Sequence, residues 1–66
     1  MLFEFVKDRN VIEKFQVSEN SYVPRINESI RINDKLYIIV NITTEFTNTF
    51  MYDNIKKVNK ITFKVK

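Results

Sequence analysis

Eight carboxylates are the first candidates for acid–base chemistry in this 66-residue chain, because it contains no His and no Cys. General acid–base work at neutral pH needs a group whose pKa can be placed near 7, and the usual one is missing. A carboxylate pair could substitute, but Glu4, Asp8, Glu13, Glu19, Glu28, Asp34, Glu45 and Asp53 are scattered. Most fall in turns or on the polar side of strands. Glu4 and Glu13 are expected to face each other across a first hairpin, where like charges repel unless Lys7 or Lys14 intervenes. Ser and Thr nucleophiles have no His base to activate them. Thiolate and imidazole ligands are excluded, so no metal and no cofactor is expected. Gly is also absent, which removes Gly-rich phosphate-cradling loops. The sequence argues against an enzyme and for a protein that works by binding.

Two groups of side chains could carry binding. From Ile55 to Lys66 there are five lysines (Lys56, Lys57, Lys60, Lys64 and Lys66) and no acid, whereas the first 33 residues balance five basic against five acidic. A lysine-rich strand face attracts phosphate. It also blocks edge-to-edge aggregation, an equally physical reason for the same residues. With a net charge of +3, a nucleic-acid surface would need Arg25, Arg31 and Lys35 to join that face. The second group is aromatic. Tyr37 and the run Phe50-Met51-Tyr52 are candidate protein-interface residues, with Tyr22 a further exposed aromatic. Phe3, Phe5, Phe15, Phe46 and Phe63 are assigned to the core.

The elements that must position these residues read as strands. Leu2–Val6 is β-prone, Asp8-Arg9-Asn10 is a turn, and Val11, Glu13, Phe15 and Val17 then share one face opposite Ile12, Lys14 and Gln16. Ser18-Glu19-Asn20-Ser21 is a loop, and Pro24 holds Val23 extended. Ile30 and Ile32 alternate with Ser29 and Arg31, and Asn33-Asp34 supplies a hairpin turn. Leu36, Ile38, Val40 and Ile42 share one face, continued by Thr44 and Phe46. Tyr37, Ile39 and Asn41 take the other, so that apolar residues on both sides of Tyr37–Val40 suggest the central strand, covered twice. Covering Tyr37 in so small a domain points to a second subunit. Ile61, Phe63 and Val65 alternate with Lys60, Thr62, Lys64 and Lys66 in the last strand. Residues 47–59 read as an irregular excursion. The alternatives are a long hairpin turning at Asp53-Asn54, or one or two helical turns over Asn54–Val58 capped by Asp53.

These elements make one all-β domain over residues 1–66, with room for one short helical turn. The expected architecture is a five-stranded antiparallel barrel or half-barrel of the Src-homology-3-like or OB kind. A hydrophobic fraction of 44% is too apolar for a disordered chain. A chain of this length buries only about 60% of its unfolded surface, so packing or oligomerisation must supply stability. Without Gly, tight turns must use Asn or Asp to reach positive φ. No signal-peptide pattern and no apolar run long enough for a membrane span is seen, so a cytoplasmic setting is expected.

The run Val23-Pro24-Arg25-Ile26-Asn27-Glu28-Ser29-Ile30, followed by Asn33-Asp34-Lys35-Leu36-Tyr37-Ile38-Ile39-Val40-Asn41-Ile42, resembles small uncharacterised phage and prophage β-barrel proteins. Their shared pattern is an apolar-Pro opening, a Gly-acid pair, a short strand, a turn and a long strand. Asn27 stands where that pattern usually has Gly. The similarity covers about residues 22–46 and the final strand. It implies a β-barrel of mobile-element origin and brings no catalytic residues with it. The leading expectation is therefore a small non-enzymatic protein that engages a host protein, as an inhibitor of a host system in one version, and self-associates as a homodimer. The alternative is nucleic-acid or phosphorylated-ligand (nucleotide) binding through the Lys-rich strand, with Arg25 or Arg31 clamping phosphate. An accessory subunit of a phage particle is a third reading.

Overall fold

The computed structural model describes residues 1–18, 20–48 and 56–66. It is all-β: β1 (Leu2–Lys7), β2 (Asn10–Gln16), β3 (Ser29–Ile32), β4 (Lys35–Asn48) and β5 (Lys56–Val65). They form one sheet in the order β2-β1-β5-β4-β3, curled into a half-barrel with β2 and β3 at its edges. Three pairings are antiparallel, as expected, two of them across two-residue turns. The fourth, β1 with β5, is parallel, Phe3 lying opposite Ile61 and Phe5 opposite Phe63. The sheet is therefore mixed. Strands distant in sequence need no shared turn, so nothing local constrains their relative direction.

The absence of Gly shows directly in the turns. Lys7 pairs with Asn10, and Ile32 with Lys35, leaving two-residue loops at Asp8-Arg9 and Asn33-Asp34. All four loop residues have positive φ, between 49° and 67°, the signature of the type I′ turn that matches strand twist. Asn27, at φ 73°, is the third residue of a turn closed by the Glu28 amide donating to the Arg25 carbonyl at 3.1 Å. A positive φ there is what a type II turn requires, and Asn tolerates it where Gly is the usual choice. Of the five positive-φ positions among the described residues, Arg9 alone is neither Asn nor Asp.

Three bulges bend the sheet. Phe5 lies opposite Glu13 and Val6 opposite Val11, so Ile12 is unmatched. By the same reading Val40 is unmatched between Ile39↔Val65 and Asn41↔Lys64, and Asn59 between Glu45↔Lys60 and Phe46↔Val58. Each extra residue bends its strand, increases twist and reverses the side-chain phase beyond it. That is why Ile39 and Ile42, three apart, both pack on the core, and why Val58 joins Ile61, Phe63 and Val65.

The core is Phe3, Phe5, Ile39, Ile61, Phe63 and Val65. Phe63 is its centre, stacked on Phe5 with ring centroids 4.8 Å apart and edge-on to Phe3 at 5.0 Å. Phe15, on the β2 edge, closes this group with its ring 5.8 Å from Phe5 while remaining 43% exposed.

Four expectations need correction. The middle strand is β5, and β4 lies between it and the β3 edge. Of Tyr37–Val40 only Ile39 is fully buried: Tyr37 and Ile39 face the core, Ile38 stands exposed on the outer face, and Val40 is unmatched in the ladder, so the strand is not covered twice. Glu4 lies opposite Lys14, and Glu13 opposite Phe5, so the two acids occupy different faces. Phe46 is 59% exposed, since the β4–β5 ladder carries it beyond the buried cluster. In the ambiguous stretch, Thr47-Asn48 and Lys56–Asn59 extend the β4–β5 ladder, which excludes a helix over Lys56–Val58. Residues 49–55, with Phe50, Met51, Tyr52 and the Asp53-Asn54 turn, lie outside the described residues.

Candidate functional site

Alternation along β5 puts Ile61, Phe63 and Val65 on the inner face and Lys60, Thr62, Lys64 and Lys66 on the outer one. Their register partners extend that outer face across the sheet. Thr62 lies between Glu4 and Thr43, and Lys64 between Val6 and Asn41. Lys66 and Ile38 exchange both backbone hydrogen bonds at 3.0 Å. Towards β3, Leu36 is directly opposite Arg31 and Ile38 opposite Ser29. The outer face therefore carries Arg31, Lys64 and Lys66 beside Leu36 and Ile38, which are 61% and 39% exposed.

The lysines are not equivalent. The Lys60 ammonium lies 3.9 Å from a Glu4 carboxylate oxygen on one side and 4.0 Å from Glu45 on the other. Its charge is answered within the sheet. Lys64 and Lys66 are exposed and take part in no ion pair among the described residues. Lys56 and Lys57 are backbone partners of Asn48 and Thr47. Of the arginines and lysine expected to join the face, Arg31 does. Lys35, opposite Ile32, falls on the inner-face phase, and Arg25 lies in the β2–β3 connection.

Tyr37 is turned inward. It is half-buried against the core, opposite Ile30 on β3, and the Lys7 ammonium sits 5.5 Å from its ring centroid. That contact within the chain covers much of the ring. Phe50, Met51 and Tyr52, the other expected interface residues, lie outside the described residues.

The β2–β3 connection is held by Glu28. Its carboxylate accepts from the Tyr22 hydroxyl at 2.6 and 2.7 Å and from the Arg25 amide at 2.6 Å. The Tyr22 bond first, then the Arg25 amide, lowers the Glu28 pKa below the ordinary carboxylate value, since both stabilise the charged form. The same hydrogen bond raises the Tyr22 phenol above its ordinary value. The clasp adds stability above the normal carboxylate range, which is lost as pH falls through the depressed Glu28 value. Stability linked to Tyr22 is present below the normal phenol range and lost as pH rises through the raised Tyr22 value. In Tyr22→Phe, Glu28 is expected to titrate at a higher pH than in the parent, read from its side-chain carboxyl signal by NMR. Identical titration in both proteins would show that the clasp does not form in solution.

A groove of about 270 Å³ opens on the outer face, lined by Val6, Asn41, Thr43, Thr62 and Lys64 and by Asp8 and Arg9 of the first turn. Of its lining only Lys64 was singled out in the sequence. Arg9 had a readable signal, because a two-residue loop between Lys7 and Asn10 must place it at positive φ. The threonines and Asn41 had none, because they meet only through the pairing of β4 with β5. Comparison with family models, with curated proteins and with solved structures returned no match.

Proposed function

We propose that this is a small non-enzymatic binding protein whose outer sheet face, around Leu36 and Ile38, docks on an apolar patch of another protein rimmed by acidic side chains. The observation that carries the reading is a pair of apolar side chains on one strand, 61% and 39% exposed, set among Arg31, Lys64 and Lys66. Exposed apolar groups cost solubility unless they serve a contact, and apolar anchors inside a polar rim are the usual anatomy of one. The flanking cations select the charge of the partner and speed its approach. The phage and prophage resemblance favours a host protein as that partner. With Tyr37 packed inward, the contact needs no second copy of the chain to complete the core.

The test is capture from host lysate with the parent and with Leu36→Asp/Ile38→Asp, compared quantitatively at low and moderate salt. Both substitutions lie on the outer face, so the variant should retain the parent's β-sheet spectrum. At least one protein is expected to be retained by the parent, to weaken with salt, and to fall by about ten-fold or more with the variant. Equal recovery by both chains would overturn the reading.

A further inference from the structure

We propose that the outer-face groove is a site for the phosphate monoester of a small hydroxylated molecule, a sugar phosphate or the sugar-phosphate part of a mononucleotide, held between Arg9 and Lys64. The inference goes beyond the docking surface and does not depend on it.

Three observations carry it. The register fixes two polar rungs in the groove floor, Thr43 opposite Thr62 and Asn41 opposite Lys64. They bring two threonines, an asparagine and a lysine together on one short stretch of the face. Arg9 and Lys64 both line the same groove, and neither takes part in an ion pair among the described residues. Arg and Lys with hydroxyl and amide donors are the side chains that bind phosphate oxygens without a Gly-rich loop.

The third observation is conformational. Arg9 adopts φ 67° in a two-residue turn, where Asn or Gly is favoured and a long side chain is strained. The other four positive-φ positions among the described residues use Asn or Asp. An Arg at the fifth is a local cost without a local reason, and its place in the groove lining supplies one.

Asp8 also lines the groove, and its carboxylate repels a phosphate. Beside a phosphate held by Arg9 and Lys64, it is placed to accept a hydrogen bond from a neighbouring hydroxyl of the ligand. This selects a hydroxylated phosphate ester over the bare ion. A volume of about 270 Å³ falls just below the roughly 300–1,000 Å³ of drug-sized sites, suiting a pentose phosphate more than a dinucleotide.

The test is NMR titration of the parent chain with inorganic phosphate, ribose 5-phosphate and a nucleoside 5′-monophosphate. Amide signals of Asn41, Thr43, Thr62 and Lys64 should move together, with ribose 5-phosphate binding more tightly than inorganic phosphate. Arg9→Asn puts a favoured residue at the turn, so it should melt no lower than the parent and yet bind about ten-fold or more weakly. Lys64→Gln should show a similar loss. In Asp8→Asn, inorganic phosphate should bind more tightly and the preference for ribose 5-phosphate should shrink. Leu36→Ser/Ile38→Ser, which removes the apolar pair without adding charge near Lys64, should bind as the parent does, which separates this site from the docking surface. Unmoved signals with all three ligands, or unchanged affinity in Arg9→Asn, would overturn the site. An undiminished sugar-phosphate preference in Asp8→Asn would overturn the role of Asp8.

Discussion

Phe63→Ala is expected to leave the chain largely unfolded at room temperature. Phe63 is fully buried, stacked on Phe5 and edge-on to Phe3, and sits on the middle strand of the sheet. Truncating a buried Phe costs about 3–5 kcal/mol in lost transfer energy and cavity formation. A domain of this length has a total stability of roughly 3–10 kcal/mol, so the loss is comparable with the whole. The sheet cannot easily collapse into the space, because three bulges already fix its bend. Thermal or urea unfolding measures the effect, with a fall in Tm of at least about 12 °C. Leu36→Ala, at a position 61% exposed, is the control and should stay within about 0.5 kcal/mol of the parent. A Phe63→Ala protein melting within a few degrees of the parent would contradict the assignment of the core.

The second large effect comes from register. Deleting Thr43 and deleting Val40 each shorten β4 by one residue, yet their outcomes should differ sharply. Without Val40, the pairs Ile39↔Val65 and Asn41↔Lys64 become consecutive rungs, and Ile42 still faces Phe63. The cost is one half-buried valine and some curl, about 1 kcal/mol. Without Thr43 the strand has two choices, both poor. Keeping the bulge moves Glu45 opposite Ile61 on the inner face. Abolishing it moves Asn41 opposite Phe63 and turns Ile42 outward. Either places an unsatisfied polar group among aromatic rings and loses apolar burial, together about 2–5 kcal/mol. Urea midpoints of the two deletions give the comparison, and equal stability would mean that the bulge is not at Val40.

Much of the architecture was readable because the code for it is local. Period-two alternation identified all five strands, and Asn33-Asp34 marked its hairpin without a Gly in the chain. The β1–β5 pairing was not readable. It joins the first strand to the last, and no turn between them records its direction. β4 was legible only in part: five consecutive apolar residues, Leu36 to Val40, look like a strand buried on both faces, whereas Leu36 and Ile38 stand exposed on the outer one and Val40 is unmatched. The site divides in the same way. Lys64 and Lys66 follow from alternation along β5, and Arg31 from alternation along β3. That Lys60 is held by Glu4 and Glu45 depends on three strands meeting, and so does the groove. The approach of Lys7 to the Tyr37 ring also joins strands distant in sequence, and no local pattern records it.

The strand order also sets a timetable for folding. The β1–β2 hairpin and the β3–β4 hairpin share no ladder, and β5 lies between them as the common neighbour of β1 and β4. On the ribosome, both hairpins emerge before the segment that joins them, so a nascent chain carries two unfinished half-sheets with open edges. Contacts this distant in sequence close slowly, and open strand edges invite pairing with the wrong chain. Until β5 arrives, the surfaces flanking its slot are those a chaperone would have to shield.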